Sequence, residues 1–559
     1  MTFKERIGAL LSDHGIDPSL LAIPPDAAMG EYALPCFQLA KAAGKSPVAL
    51  AAELASKLHA PFLASVTALG PYVNFRIKPD ALATEVISAV TASGAQYGAQ
   101  AQKHERVMVE YSQPNTHKAF HVGHLRGTSL GEALSRILKH AGFEVIQANY
   151  SGDTGAHIAK WLWYYTTRHQ TPPPSDPHER ERWIADIYVK AIQTLTENPE
   201  HQQEVDEILR KLDVREAGEL MAIYERTRQW SIDAFWTIYH DLHAHFDHWF
   251  FESEVEEPGK RISKELLAQG IAKIDDGALI VDLEDKKLGI WVLLRKDGTA
   301  LYSAKDLALA ERKFGEFKID RSLYAIGAAQ SQHMQQLFET LRRMGFTQAD
   351  KCYHLSFNEV RLPTGKMSSR TGQNLLYSDI RAEVGDYARV EIKRRHEDWS
   401  TERVEQSARQ IIIGALKWDM LATDPNKAIV FDPKLATEFE GDTGPYVQYT
   451  HARACSILAK AGDAPSGSGA SLTHPKEQAL LKEILAFPEA IERAVRSYSP
   501  APVAHATMGI AKAFNSFYHD CPVIADGKPN PDRLALVRSA VQVLGLGLTL
   551  LAVDAPQEM

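Results

Sequence analysis

A chain of 559 residues is too long for one ordinary core and predicts about three domains. Apolar content of 45%, charged content of 24% and a net charge of −9 describe a globular protein without a basic field, so any polyanionic partner must be met by local basic patches. Cys36, Cys352, Cys455 and Cys521 lie too far apart for a metal-ligand motif or a small disulfide framework and fit a reducing cytoplasm, and the charged start "MTFKERIGALL" is no signal peptide.

The first hundred residues alternate helical and extended patterns. In "SPVALAAELASKL", Ser46 stands as N-cap with Pro47 at the first helical position, and "GPYVNFRI" reads as a strand. Residues 1–104 are a small α+β domain. From Arg106 the pattern changes. "RVMVEYS" is a short apolar strand; Leu130, Leu134, Ile137, Leu138 and Ala141 recur at helical spacing; "FEVIQANYS" is a second strand. Strand, helix and strand in this order form a βαβ unit and predict a parallel sheet. "RSLYAIGAA" and "KCYHLSFNEVRL" extend that sheet, joined by a helix whose apolar face is Met334, Leu337, Phe338 and Leu341. Residues 156–250, broken by "TPPPSDP", are a helix-rich insertion into a domain spanning 105–385. From 386 to 559 amphipathic helices dominate, with one linker-like loop, "AGDAPSGSGASLTHP". "LALVRSAVQVLGLGLTLLAV" is interrupted by Arg538 and Gln542 and reads as a buried helix rather than a membrane span. The fold class is multidomain: an α/β, Rossmann-type nucleotide-binding domain with a helical insertion, an N-terminal α+β domain and a C-terminal helical bundle.

Between the first strand and helix of the βαβ unit stands "SQPNTHKAFHVGHLRGTSLG", residues 112–131. Open parallel sheets bind ligands at the carboxyl ends of their strands, and a helix N-terminus there favours an anion. Gly123 removes a side chain where a flat base could lie, and His121 and His124 can donate hydrogen bonds to phosphate oxygens. This suits a nucleoside triphosphate attacked at its α-phosphate. Taken alone, the tetrapeptide also fits two exposed helix histidines, and no glutamate stands between them as in a metalloprotease helix. "RLPTGKMSSRTGQ" is a small, flexible, cationic stretch suited to closing over phosphates. By itself its default reading is a solvated surface loop. Its place after a strand is what the second half of a nucleotide-binding fold predicts.

"HVGH" resembles the HIGH signature and "KMSSR" the KMSKS signature of class I aminoacyl-tRNA synthetases. With "VEYSQPNTHKAFHVGHLRGTSLGEALSRIL", "YSAKDLALA", "EGDTGPYVQYTHAR" and a final methionine, nearly the whole chain resembles the arginyl-tRNA synthetases. The resemblance implies activation of L-arginine by ATP, as its Mg2+ complex, to arginyl-adenylate, then transfer to the 3′ end of tRNA(Arg) for protein synthesis. It implies a cytoplasmic monomer with no membrane, no metal ligands and no structural metal, whose arginine activation waits for bound tRNA. His121, His124, Lys118 and Lys366 are then catalytic. His121, Gly123, His124, Lys366, Met367, Ser368, Ser369 and Arg370 bind ATP. Ser369 replaces the signature's second lysine, and Lys118 supplies that charge.

For arginine the resemblance implies Asn115, Tyr302, Asp306, Glu252 and Gln330, with Glu254 the rival of Glu252. By spacing alone Tyr302 and Asp306 share a helix face, and Asp306 could equally pair with a lysine. For tRNA it implies Tyr449, Arg453 and Met559 near the anticodon, beside Tyr446 and His451, and Tyr72 and Asn74 at the tRNA elbow. A shorter nucleotidylyltransferase, a synthetase for another amino acid and a non-catalytic tRNA-binding paralogue are the rival readings.

Overall fold

The computed structural model describes residues 3–24, 26, 29–361, 363 and 376–559. The backbone divides into two compact units, Met1–Tyr97 with Arg453–Phe487 and Gly509–Leu544, and Gly98–Ala452 with Pro488–Met508 and Gly545–Met559.

The first unit opens with helix α1 (Phe3–Asp13). Strand β1 (Tyr32–Pro35), helices α2 (Phe37–Ala43) and α3 (Pro47–Lys57), strands β2 (Leu63–Leu69) and β3 (Tyr72–Ile77), and helix α4 (Pro79–Ser93) follow. The strands form an antiparallel sheet in the order β1-β3-β2. Helix α3 starts as its sequence requires: Ser46 Oγ accepts from Ala49 N at 3.2 Å and Pro47 takes the first position. Alternation along β3 sends Val73, Phe75 and Ile77 into the core and Tyr72, Asn74 and Arg76 to the opposite face.

In the second unit β4 (Arg106–Glu110) leads through α5 (Val122–His140) to β5 (Glu144–Ser151), paired parallel with Val107 opposite Val145. Leu130, Leu134, Ile137, Leu138 and Ala141 are buried, as their spacing requires. The chain then leaves the sheet for α6 (Ala156–Arg168), α7 (Pro177–Glu197), α8 (Gln202–Asp213) and α9 (Glu219–Asp241). Trp161, Tyr165 and Ile184 centre a core of their own, with Trp183 and Trp230 packed against it. The chain returns in β6 (His248–Phe251), parallel to β5. The insertion therefore stops short of residue 250, because "HWFF" is a sheet strand too brief for any periodicity to reveal.

Helix α10 (Glu252–Ala268) precedes an antiparallel sheet of β7 (Ala272–Asp275), β8 (Ala278–Asp282) and β9 (Ile290–Leu294), which sequence periodicity did not anticipate. The signal was the Asp276–Gly277 pair. Both residues have positive φ, 44° and 80°, as a tight two-residue hairpin turn demands. Helix α11 (Tyr302–Phe317), β10 (Arg321–Gly327), α12 (Ser331–Arg343) and β11 (Cys352–Phe357) complete the sheet. Its order is β11-β10-β4-β5-β6 with every neighbour parallel. The strand order reverses between β4 and β10, and the crevice outside their carboxyl ends is where such sheets bind ligands. Met334, Leu337 and Leu341 of α12 enter one core with Met108, Ala148 and Phe250 of the sheet, and Phe338 packs on it.

The remainder is mostly helical, with two short strand pairs at 360–361 with 429–430 and at 524–525 with 528–529: α13 (Tyr377–Arg395), α14 (Thr401–Ala422), α15 (Pro433–Ala436), α16 (Gly444–Ala461), α17 (Pro475–Ser497), α18 (Ala501–Asp520) and α19 (Pro531–Leu550). Helix α19 is long and apolar enough to cross a membrane, yet 67% of its most apolar window is buried inside the protein. Leu534, Val537, Ala540 and Leu544 are core residues.

Helix α5 approaches the sheet closely at Gly131, where an added Cβ would stand 2.1 Å from Tyr111 Cγ. Tyr111 cannot yield. Its ring packs on Phe246 at 4.6 Å, and its hydroxyl is held by Glu132 Oε2 at 2.8 Å and Gln147 Nε2 at 2.8 Å. Gly131→Ala should therefore lower stability by about 1–3 kcal/mol. A urea midpoint equal to that of the unaltered chain would refute this account of the α5–β4 contact.

Candidate active site

The site starts with the way α5 begins. His121 is its N-cap, with extended backbone at φ −117° and ψ 172°, and His124 is the third helical residue. Gly123 N donates to His121 Nδ1 at 3.1 Å, and His121 N donates to His124 Nδ1 at 3.2 Å. Two orphan N–H groups of the helix end are thus satisfied by imidazoles. A backbone N–H can only donate, so each Nδ1 carries a lone pair and each ring proton sits on Nε2. The rings stack with centroids 3.9 Å apart. Burial, then the charge of Lys118, pushes His121 down to about 4; burial, then His121 and Lys118, holds His124 well below the usual imidazole range. At neutral pH the pair is uncharged and offers two Nε2–H donors. Gly123 is required by this arrangement itself, because a Cβ there would meet His121 Cε1 at 2.9 Å.

The loop before the histidines is bent through three non-glycine residues of positive φ, Ser112 (78°), Gln113 (56°) and His117 (60°). Such conformations cost about 1–3 kcal/mol each and persist only where surroundings enforce them. Ser112 Oγ bonds Tyr239 Oη at 2.8 Å, Gln113 N donates to Asn149 Oδ1 at 3.0 Å, and His117 N donates to Ser231 Oγ at 3.0 Å. Tyr239 and Ser231 lie on α9, so the helical insertion holds the loop in shape. Thr116 N reaches Gly152 O at 2.9 Å, docking the loop on the end of β5.

Asn115, Lys118, His121 and His124 line one cleft of about 1090 Å³ together with Lys160, Arg182 and Tyr188. Lys118 has its ammonium 5.5 Å from the centroid of the Tyr188 ring, and burial, against the pull of Glu252, lowers its pKa. Lys160, the one lysine of α6, is a further cation at this cleft beside Lys118 and Arg182, and sequence reasoning passed it over. Leu376 forms an antiparallel bridge with His121, and Tyr377 N donates to Phe120 O at 3.0 Å. Arg126, fully buried, donates to Asn358 O at 2.6 Å and to Pro425 O at 3.2 Å, tying the chain ahead of the second motif to α5. Lys366, Met367, Ser368, Ser369 and Arg370 themselves lie outside the described residues.

Of the residues matched to arginine, Asn115, Glu252 and Gln330 follow the carboxyl ends of β4, β6 and β10, and Tyr302 and Asp306 lie in the first turns of α11. An added Cβ on Gly152 would stand 2.2 Å from Asn115 Oδ1 and 3.1 Å from Glu252 Oε1, so Gly152 lets those two side chains approach one another. Glu252 is held by Lys305 Nζ at 3.1 Å and Thr154 Oγ1 at 3.1 Å. Its rival Glu254 is turned to Arg312 at 2.7 Å. Asp153, a residue the sequence analysis did not single out, is 1% exposed and clamps the region through Arg228 at 2.9 Å and Ser253 N at 2.9 Å. Tyr302 and Asp306 share a face of α11, but Asp306 bonds a histidine, His333, at 2.6 Å rather than a lysine. Tyr302 is exposed, and Gln330 is exposed at the end of the turn that follows β10.

Of the residues matched to tRNA, Tyr72 is exposed and meets the exposed Phe37 edge to face at 5.7 Å, whereas Asn74 is 3% exposed. Tyr449 packs on Phe439, and the guanidinium stacked on both rings belongs to Arg395. Arg453 donates to Asn515 Oδ1 at 2.6 Å and lies over Tyr518. Tyr446 is half-buried, and His451 donates Nδ1–H to Pro556 O at 2.8 Å. Met559 is buried, its carboxyl end accepting from His396 Nε2 at 3.0 Å. With Lys417 Nζ on Ala552 O at 2.9 Å and Gln448 Nε2 on Asp554 O at 3.0 Å, the tail is pinned along its length. Among the described residues no group of three or more histidine, cysteine or acidic side chains is placed to hold a metal ion.

A family model described as tRNA synthetases class I (R), catalytic domain, matches residues 86–432. The DALR anticodon binding domain matches 447–559 and the arginyl tRNA synthetase N terminal domain 2–77. An arginine–tRNA ligase of Bdellovibrio bacteriovorus is 36% identical over 574 residues, covering 100% of this chain and 97% of its own length. That of Treponema denticola is 34% identical, covering 96% and 94%. The structure of the Thermus thermophilus arginyl-tRNA synthetase is similar with a TM-score of 0.83 at 29% identity, covering 100% of this chain and 99% of that one.

His117 supports the loop from within. Burial holds it neutral down to a pKa of about 3, and its Nε2 lies 2.9 Å from Thr227 Oγ1. An unfolded chain takes up a proton there below about 6.5, so the stability this residue confers is complete above that pH and is lost as pH falls toward 3. In His117→Gln the decline of stability between pH 6.5 and 4 should be shallower by up to about 1.4 kcal/mol per pH unit, the other buried histidines supplying the rest. Thermal denaturation at several pH values measures this, and parallel curves for the two proteins would refute it.

Proposed function

The chain belongs to the arginyl-tRNA synthetases, ATP-using ligases that join arginine to tRNA, and from that premise we propose how its own residues perform the reaction. ATP enters as its magnesium complex. The Nε2–H groups of His121 and His124 donate to phosphate oxygens, and Lys118 supplies the cation that Ser369 does not, with Lys160 beside it at the cleft. Lys366 and Arg370 carry the remaining charge of the second motif, with Met367 and Ser368 between them. The arginine carboxylate attacks the α-phosphorus, the bond to the β-phosphate breaks, and pyrophosphate leaves with the electron pair. A ribose hydroxyl of the terminal adenosine then attacks the acyl carbon and AMP departs. Both steps build charge on phosphate or carbonyl oxygens, so positioning and hydrogen-bond donors carry the catalysis.

Asn115 holds the amino-acid end of arginine. Glu252, Asp306 and the Tyr302 ring take the guanidinium, a planar group of five donors that only acceptors satisfy. Gln330 closes the pocket from β10. Residues 1–104 meet the tRNA elbow through the β3 face bearing Tyr72 and Asn74, and residues 386–559 meet the anticodon through Tyr449, Arg453 and Met559. The enzyme works as a cytoplasmic monomer and activates arginine only with tRNA bound. The observation that supports this reading most is the single cleft lined by Asn115, Lys118, His121 and His124 at the carboxyl end of β4.

Pyrophosphate exchange with each of the twenty amino acids, with and without tRNA, tests it. Exchange is expected with arginine alone and only with tRNA present. No exchange by folded protein that binds tRNA would mean that the cleft has lost its chemistry. Lys118→Ala should reduce kcat on the order of 10²-fold, the usual effect of removing one stabilising group from a developing anion. An unchanged kcat would assign the missing charge to Lys160 or to the second motif instead.

A further inference from the structure

Asp306 does not stand alone. Its Oδ2 is 2.6 Å from His333 Nε2, and His333 Nδ1 is 3.2 Å from the indole nitrogen of Trp291. Trp291 comes from β9, Asp306 and Tyr302 from α11 and His333 from α12, so three elements converge on one imidazole. Trp291 is 4% exposed and His333 9%. The Tyr302 ring meets the imidazole edge to face at 4.7 Å, and the Trp291 ring lies 5.5 Å from it. An indole N–H donates and never accepts. His333 Nδ1 must therefore carry the lone pair, and Nε2 must carry the proton it gives to Asp306. The tautomer is set by a side chain that cannot itself reach Asp306.

We propose that His333, locked by Trp291 in the Nε2–H tautomer, is a positioning residue for arginine, which fixes the plane of the Asp306 carboxylate and leaves Oδ1 for the guanidinium. This rests on the reading of Asp306 as an arginine-binding residue. A guanidinium is recognised through a planar fork, and a carboxylate free to rotate would present that fork with a moving target. A hydrogen bond on Oδ2 from a ring that three neighbours immobilise removes the rotation before substrate arrives, so the ordering is not left to the binding step. Tyr302 has two tasks in this arrangement: its ring packs against His333, and the rest of it is exposed and open to substrate.

Steady-state aminoacylation by the full chain tests the proposal, with arginine KM, ATP KM and kcat measured for His333→Leu, His333→Gln, Trp291→Phe and Asp306→Asn. His333→Leu, which loses the donor, should raise the arginine KM about tenfold or more, with kcat at saturating arginine and the ATP KM changed less than about twofold. His333→Gln, whose amide N–H can still donate to Asp306, should return the arginine KM to within about threefold of the unaltered enzyme. Trp291→Phe keeps the packing but frees the tautomer, and its arginine KM should lie between those two. An arginine KM unmoved in His333→Leu or Trp291→Phe overturns the relay. Equal losses of kcat and ATP affinity in His333→Leu and His333→Gln do so as well, since they would mean that His333 merely supports the fold. Asp306→Asn separates the levels. If it leaves the arginine KM unchanged, Asp306 is no arginine ligand and the underlying reading fails; if it raises the KM while the other variants do not, only the relay fails.

Discussion

Two histidines three residues apart cap the same helix end by accepting from each other's backbone neighbourhood, and the site follows from that exchange. His121 Nδ1 takes Gly123 N–H and His124 Nδ1 takes His121 N–H, so neither ring can rotate without leaving a backbone donor unpaired. The satisfied caps make the helix start stable, at about 1 kcal/mol for such a cap. The same bonds decide the chemistry, because they leave a proton on each Nε2 and stack the rings at 3.9 Å. Burial keeps both uncharged, and the cationic side chains that line the cleft beside them are Lys118, Lys160 and Arg182.

What holds this helix start in place is not local. The preceding loop runs through Ser112, Gln113 and His117 at positive φ, and each is secured by a residue far along the chain, among them Ser231 and Tyr239 of the helical insertion. Asp153 plays the same part just after β5, joining Arg228 of the insertion to Ser253, next to Glu252. The insertion is therefore a buttress as well as a separate helical body. It has its own core around Trp161 and Tyr165, and helix α9 fixes the loop that carries Asn115 and, through Arg228 and Asp153, the start of α10 at Glu252. The buried pair of Lys313 and Glu110, with the Lys313 ammonium 3.8 Å from the Tyr324 ring, lies at the end of β4 and adds a polar contact to the base of the same loop through Gln113 Nε2 on Glu110 Oε1.

Much of this was legible in sequence, and the legible part has a common character. Helix α5, the parallel pairing of β4 with β5, the cap at Ser46 and the apolar face of α12 are all set by residues within a few positions of one another. The two signature motifs are legible for the same reason, being short and contiguous in the chain. The hairpin between β7 and β8 was equally local, written in Asp276 and Gly277, but its alternation over four or five residues is too short to stand out from neighbouring helices. Strand β6 offered less still, four residues whose identity as a strand comes from pairing with β5.

The amino-acid sequence by itself determined the main helices and the βαβ unit, where the carboxyl edge of the sheet carries its motifs and to which family the chain is similar, because periodicity, capping and contiguous signatures act through near neighbours. Only the tertiary structure decided which side chains meet. Lys160 at the cleft with Lys118, Gly152 between Asn115 and Glu252, Arg395 on Tyr449, and His333 between Trp291 and Asp306 join residues tens of positions apart. No spacing rule encodes such a meeting. It depends on the packing of whole elements, and it is through that packing that the charge, tautomer and orientation of each group in the site are set.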